Sequence, residues 1–147
     1  MIKIEYPDIK PKIRRNKAGD EIFCLIRKKW LLITPEEWVR QNLLLYLINV
    51  LNYPASLISV EKGLMIGELK RRYDIVVYAQ DMLPFIVVEC KEMEVALSEA
   101  TILQVLRYNT ELQANYLIVT NGVSCAAFQK LEADFKEIEF IPYNRKL

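Results

Sequence analysis

The chain has 147 residues, of which 52% are hydrophobic and 27% charged, as in a folded globular protein with one core. It contains no histidine, which excludes Ser-His and Cys-His nucleophile pairs and most zinc hydrolase sites. Its net charge of +1 predicts no overall attraction to a polyanion, although a local basic patch is compatible with this total.

The three cysteines, Cys24, Cys90 and Cys125, occur without CxxC spacing. An odd number in this arrangement favours neither a disulfide framework nor a zinc site, so we expect a reducing cytoplasm. The start of the chain is basic but lacks the apolar centre of a signal peptide, and no apolar run has the length of a membrane span. We therefore expect no membrane partner.

The first predicted elements are an arm, a hairpin and a helix. Residues 1–20 carry prolines and basic residues without a period, which predicts a loose N-terminal arm. Residues 21–34, EIFCLIRKKWLLIT, predict a β-hairpin with RKK at its turn. A helix is expected next, because Thr34 suits an N-cap and Pro35 a first helical position. Apolar residues then recur at helical spacing until NYP, at residues 52–54, ends the run.

The rest of the chain alternates apolar strands with a second helix. That helix is predicted over about residues 97–113, with Ser98 as its cap. The predicted strands are residues 56–66, 69–79, 83–91, 115–122, 124–130 and 137–143. The order helix, three strands, helix, strand predicts an α/β fold with a mixed central sheet flanked by helices. We expect one domain over residues 21–147.

Charged residues lie at the ends of two predicted central strands. Asp74 precedes the apolar run of one strand, and Glu89 and Lys91 end the next. Alternate strand residues share a face, so Glu89 and Lys91 point the same way, and a buried acid and base need a compensating partner. Neighbouring strands lie about 4.8 Å apart, which brings Asp74 and Glu89 within reach of one cation. Oxygen ligands without histidine or thiolate are typical of Mg²⁺ or Mn²⁺ sites.

This pattern resembles the signature of the PD-(D/E)xK nuclease superfamily, although Tyr73 stands where the proline would precede the aspartate. QVLRY, at residues 104–108, is similar to the QxxxY element of several branches. TPEEWVRQ resembles the acidic start of the first core helix, and YLIVTNG the strand after the second helix. Over residues 30–125 the chain looks most like the N-terminal nuclease domain of type I restriction enzyme R subunits, without their helicase motor or a Walker motif.

The resemblance implies a restriction-endonuclease-like αβββαβ core and a Mg²⁺-dependent deoxyribonuclease, as an endonuclease domain. It implies that Asp74 and Glu89 are metal ligands, joined by Glu36 from the first helix, and that Lys91 is the catalytic lysine. Gln104 would orient the lysine, the water or the DNA backbone. Glu36 is preferred to the adjacent glutamate because it precedes inward-facing apolar residues, but either acid also favours the helix dipole.

Several alternatives stay open. Arg40, Arg72 and Arg107 are candidate phosphate contacts, and Tyr108 a further candidate nucleic-acid contact, but surface or core roles are equally compatible with these residue types. Expected partners are DNA, other restriction or helicase subunits and a second copy of the chain. The rival hypothesis is a nuclease-fold module that binds nucleic acid or a partner protein without cutting. An RNA-directed nuclease is also compatible with the sequence.

Overall fold

The computed structural model describes residues 1–144. It contains two α-helices, α1 at Pro35–Asn49 and α2 at Glu99–Tyr108, and a 3-10 helix at Ala55–Leu57. The strands are β1 Ile2–Lys3, β2 Ile13–Arg14, β3 Glu21–Cys24, β4 Lys29–Leu32, β5 Ile58–Ile66, β6 Leu69–Tyr78, β7 Pro84–Cys90, β8 Tyr116–Thr120, β9 Ser124–Lys130 and β10 Phe135–Ile138. Within residues 1–144, no helix is long and apolar enough to cross a membrane.

The strands form two sheets. The large sheet has the order β1-β9-β8-β7-β6-β5, with β10 also paired to β9, and the small sheet has the order β2-β3-β4. In the large sheet, β7 and β8 are parallel and α2 lies between them in the chain, whereas the other pairs are antiparallel. This arrangement confirms the predicted α/β fold with a mixed sheet and the αβββαβ order.

Helix α1 begins and ends where the sequence predicts. The Thr34 hydroxyl accepts a hydrogen bond from the backbone N–H of Glu37 at 3.0 Å, which caps one of the free N–H groups of the first turn. The apolar side of α1, including Leu43 and Leu47, packs in one core cluster with Ile75 and Val88 of the sheet. This packing fixes the N-terminal end of α1 beside the strands that carry Asp74 and Glu89.

Helix α2 belongs to the second core cluster, which contains Val105 with Val76, Val87 and Leu117. The Ser98 hydroxyl accepts a hydrogen bond from the backbone N–H of Thr101, as predicted for its cap. The helix ends at Tyr108, five residues earlier than predicted from the sequence. Helix α1 therefore contributes to one core cluster and α2 to the other, and the central strands of the large sheet are buried.

The prediction of a loose arm over residues 1–20 is wrong at two places. Strand β1 pairs with β9, and Ile4 is buried in the core. The Tyr6 hydroxyl donates a hydrogen bond to the backbone carbonyl of Gly122 at 3.0 Å. Strand β2 pairs with β3 and adds a third strand to the predicted hairpin. The last predicted strand, residues 137–143, is also displaced, since β10 spans Phe135–Ile138.

Candidate active site

Strands β6 and β7 bring the predicted acidic residues to the same end of the sheet. Ile75 pairs with Val88, and Asp74 and Glu89 are the residues that flank this pair. The Asp74 carboxylate accepts a hydrogen bond from the backbone N–H of Cys90 at 2.7 Å, through Oδ2. Pairing in this region keeps the carboxylate against the last residue of β7, immediately before Lys91.

The other oxygen of Asp74 is bound by Arg40 of α1. Arg40 Nη2 lies 3.0 Å from Asp74 Oδ1, and Arg40 Nη1 lies 3.2 Å from Glu37 Oε1 and 3.4 Å from Glu61 Oε1. Arg40 is only 4% exposed. Burial lowers its pKa, but the charges of Glu37, Asp74 and Glu61 outweigh this and raise the pKa overall, so the guanidinium stays charged. The position differs from the surface phosphate contact expected from the sequence, because the guanidinium is buried among carboxylates.

Glu36 is the α1 acid that interacts with Asp74. Its pKa is raised first by burial, then by the charge of Asp74 and a hydrogen bond with it, and these effects exceed the opposing influence of Arg40 and Lys91. Its side chain is 51% exposed, although it precedes the inward-facing apolar residues of α1. The inward acid is Glu37, which is 8% exposed. Glu36, Asp74 and Lys91 therefore form one electrostatic group, which we call the acid–lysine cluster.

Glu37 has a different environment from Glu36. Its carboxylate accepts hydrogen bonds from Arg40, from Arg27 at 3.3 Å and from Gln41 at 3.0 Å. Glu61 pairs with the same two arginines and has a positive φ of 50° in β5, an unfavourable conformation for a residue with a side chain. The sequence gives no separate signal for this network, because its members are spread over four elements.

Glu89 is held from the opposite side, next to α2. Its Oε1 accepts a hydrogen bond from Asn109 Nδ2 at 3.4 Å. Asn109 is fully buried, also donates to the carbonyl of Val105, and hydrogen-bonds with the hydroxyl of Tyr73. Burial, followed by the nearby charge of Glu89, raises the pKa of Tyr73 to about 12, so its hydroxyl remains protonated at neutral pH. Asn109 lies directly after the C-terminal end of α2 and is not among the site residues predicted from the sequence.

The remaining predicted residues lie on the surface. Gln104, Arg107 and Tyr108 are exposed on α2, and Arg72 is exposed on β6. The guanidinium of Arg71 lies over the Tyr108 ring, 4.6 Å from its centroid, and Nη1 donates to the Tyr108 carbonyl at 2.8 Å. One turn separates Gln104 from Tyr108, as the QxxxY spacing predicts.

A cleft of about 550 Å³ borders the acid–lysine cluster. Its walls come from the β3–β4 hairpin, the start of α1 and β5, and they include Arg27, Glu36, Glu37, Arg40 and Glu61. The possible metal-donor atoms of this site are mostly carboxylate oxygens, which match the preference of Mg²⁺. The two adjacent acids Glu36 and Asp74 repel each other, and a cation would relieve that repulsion.

The site matches a metal ion in the chemistry of its donor atoms, not in their number. Among residues 1–144, no group of three or more Asp, Glu, His or Cys side chains is arranged to hold a metal ion. Glu89 interacts with Asn109 on the α2 side, whereas Asp74 interacts with Arg40 and α1. The structure therefore brings Glu36, Asp74 and Lys91 together and places Glu89 beside a separate polar group.

Comparison with known proteins identifies one region of the chain. A family model described as "Type I restriction enzyme R protein N terminus" matches residues 35–142. The matched region begins with α1 and includes every strand of the large sheet except β1, while the small sheet precedes it. Comparison with curated proteins gave no match.

Proposed function

The chain belongs to the family of type I restriction enzyme R protein N termini, and from this premise we propose that it is a metal-dependent DNA phosphodiester hydrolase. Membership of this family makes the chain a restriction nuclease-like domain, and metal-dependent hydrolysis of DNA is the proposed activity. The observation that carries it is the geometry of the acid–lysine cluster. Arg40 Nη2 lies 3.5 Å from Glu36 Oε1 and 3.0 Å from Asp74 Oδ1, and Asp74 Oδ2 accepts from the N–H of Cys90, the residue before Lys91. Two acids beside a lysine are suited to hydrolysis of a phosphodiester.

In the proposed mechanism, Asp74 and Glu36 would hold Mg²⁺ or Mn²⁺, and Glu89 would be a further ligand. When bound, the metal would polarise the phosphoryl group and lower the pKa of a water molecule. The Lys91 ammonium stabilises the negative charge that develops on the phosphate oxygens as water attacks in line and the 3′ oxygen leaves. Gln104 is proposed to orient the lysine, the water or the DNA backbone.

The test is cleavage of supercoiled plasmid and of linear DNA with Mg²⁺ or Mn²⁺. We expect nicking or degradation by the wild type, loss of cleavage on metal chelation, and a decrease of about 10²–10³-fold in Lys91→Ala. The control is Lys136→Ala, which removes an exposed lysine of β10 and should cut like the wild type. Cleavage of the closed plasmid would identify an endonuclease. Equal activity of Lys91→Ala and the control would contradict the proposed role of Lys91.

A second candidate function is a nuclease-fold module that binds without cutting. The observation that favours it is the complete pairing of Asp74, because one oxygen accepts from Arg40 and the other from the Cys90 N–H. Thermal unfolding with Mn²⁺ separates the two candidates. A ligand at 100 times its Kd stabilises a site by about 2.7 kcal/mol, so the hydrolase should gain melting temperature and Asp74→Asn should not. Absence of the gain in a well-folded wild type would favour the binding module.

The proposed partners are DNA and other restriction or helicase subunits, and a second copy of the chain could complete the DNA-binding surface. A cytoplasmic location is proposed because Cys24, Cys90 and Cys125 are free and buried, as expected of a protein kept in a reducing compartment. Size-exclusion chromatography with light scattering, with and without a DNA duplex, tests the self-association.

A further inference from the structure

The segment that forms the small sheet is strongly basic. Residues 10–32, which we call the basic sheet segment, contain eight Lys or Arg residues and two acids, for a net charge of +6. The other residues have 12 basic and 17 acidic side chains, for a net charge of −5. The total of +1 therefore conceals a strong separation of charge between the small sheet and the rest of the chain.

Most of these basic side chains are exposed. They are Lys10, Lys12, Arg14, Arg15, Lys17, Lys28 and Lys29, and Arg27 is the half-buried exception. Within residues 1–144, salt bridges take up two members of the segment, Arg14 with Glu21 at 2.9 Å and Arg27 with Glu37 and Glu61. Six exposed cations therefore face solvent along β2, the loops around it and the turn of the hairpin.

The basic sheet segment is joined to the candidate active site by alternating charges. Arg27 binds Glu61 at 3.0 Å and Glu37 at 3.3 Å, and both acids also bind Arg40, which binds Asp74. The same hairpin forms a wall of the cleft that contains Glu36. The hairpin contributes Arg27, Leu31 and Leu32 to the lining of this cleft, so a backbone that reaches the acid–lysine cluster through it would pass beside the segment that carries the exposed cations.

We propose that the basic sheet segment binds the phosphate backbone of duplex DNA and holds it against the cleft. The inference rests on the proposed nuclease function, which supplies the phosphodiester substrate. It goes beyond that function, because the segment lies before the residues matched by the family and outside the residues predicted to contact DNA. Lysine and arginine contacts to phosphate position a duplex without selecting its sequence.

The experiment compares two double variants that each remove two exposed lysines. Lys12→Gln with Lys17→Gln alters the basic sheet segment, and Lys3→Gln with Lys136→Gln alters the edge strands β1 and β10. Binding of a fluorescent DNA duplex is followed by anisotropy without divalent metal, from about 50 to 200 mM salt. Each lost phosphate contact lowers the salt slope of log K by about 0.9, so the first variant should lose up to about 1.8 and bind about ten-fold more weakly.

The control variant should keep the slope and affinity of the wild type. Equal slopes in the two variants, or a wild type that binds no duplex at low salt, would overturn the proposal. A drop in slope only in Arg72→Gln with Arg107→Gln would place the duplex on β6 and α2 instead. If the wild type binds DNA through Lys12 and Lys17 but does not cleave it, the binding surface is supported and the hydrolase is rejected. If the wild type cleaves DNA and the Lys12/Lys17 variant binds it as tightly as the wild type, the hydrolase is supported and the binding surface is rejected.

Discussion

Substitution of Arg40 by methionine removes the guanidinium at the centre of the buried charge network while keeping most of the aliphatic length. The side chain of Arg40 is 5% exposed, that of Glu37 11% and that of Asp74 19%, so each acid loses one of its partners in a weakly solvated region, and Asp74 keeps the Cys90 N–H. Breaking a buried ion pair by removal of one partner costs about 3–5 kcal/mol. Among the described residues, Arg40 Nε has no hydrogen-bond partner, and its removal returns about 1 kcal/mol.

We therefore expect Arg40→Met to lower the free energy of unfolding by about 2–4 kcal/mol. For a domain of this size the melting temperature should fall by about 2–4 °C per kcal/mol. Urea unfolding at neutral pH measures the loss, and Arg72→Met, at an exposed position of β6, should stay within about 0.5 kcal/mol of the wild type.

A loss below about 1 kcal/mol would show that desolvation of the network offsets its attraction.

Two further substitutions test the groups on either side of β7. Burial and Asp74 raise the pKa of Glu36, so its ionised form is disfavoured in the fold. Glu36→Gln should therefore raise the melting temperature near about pH 7 and lose this advantage towards about pH 4. An advantage that grows on acidification would contradict this. Asn109→Ala should lower the free energy of unfolding by about 1–3 kcal/mol, because Glu89 and Tyr73 lose a buried partner. Urea unfolding measures this loss, and Tyr108→Phe at the surface should have little effect.

The sequence predicts the main elements where local chemistry is decisive. Thr34 and Pro35 identify the start of α1, because few other residue pairs both cap a helix and suit its first turn. The apolar runs of β7 and β8 identify strands that are buried on both faces, and the structure confirms that their central residues have no exposed surface. The αβββαβ order follows from these elements alone.

The burial of Arg40 is not predictable from local pattern. It lies between Val39 and Gln41, both of which are also buried, so the helix has no single apolar stripe that would identify its outer face. The acids that make its burial tolerable come from α1, β5 and β6, which meet only in the folded sheet. The role of Asn109 has the same origin, since its partners Tyr73 and Glu89 lie on two other elements.

The burial of Arg40 bears directly on how a nucleic acid would be held. The guanidinium of Arg40 forms ion pairs with four carboxylates and contributes little attraction to a phosphate, because its charge is already compensated. The acids around the cleft would repel a polyanion unless cations compensate them, and the hairpin that lines the cleft belongs to the segment with the exposed lysines and arginines of residues 10–32. Arg27 belongs to residues 10–32 and also pairs with Glu37 and Glu61, the partners of Arg40. These ion pairs therefore hold the basic surface against the network that contains Asp74.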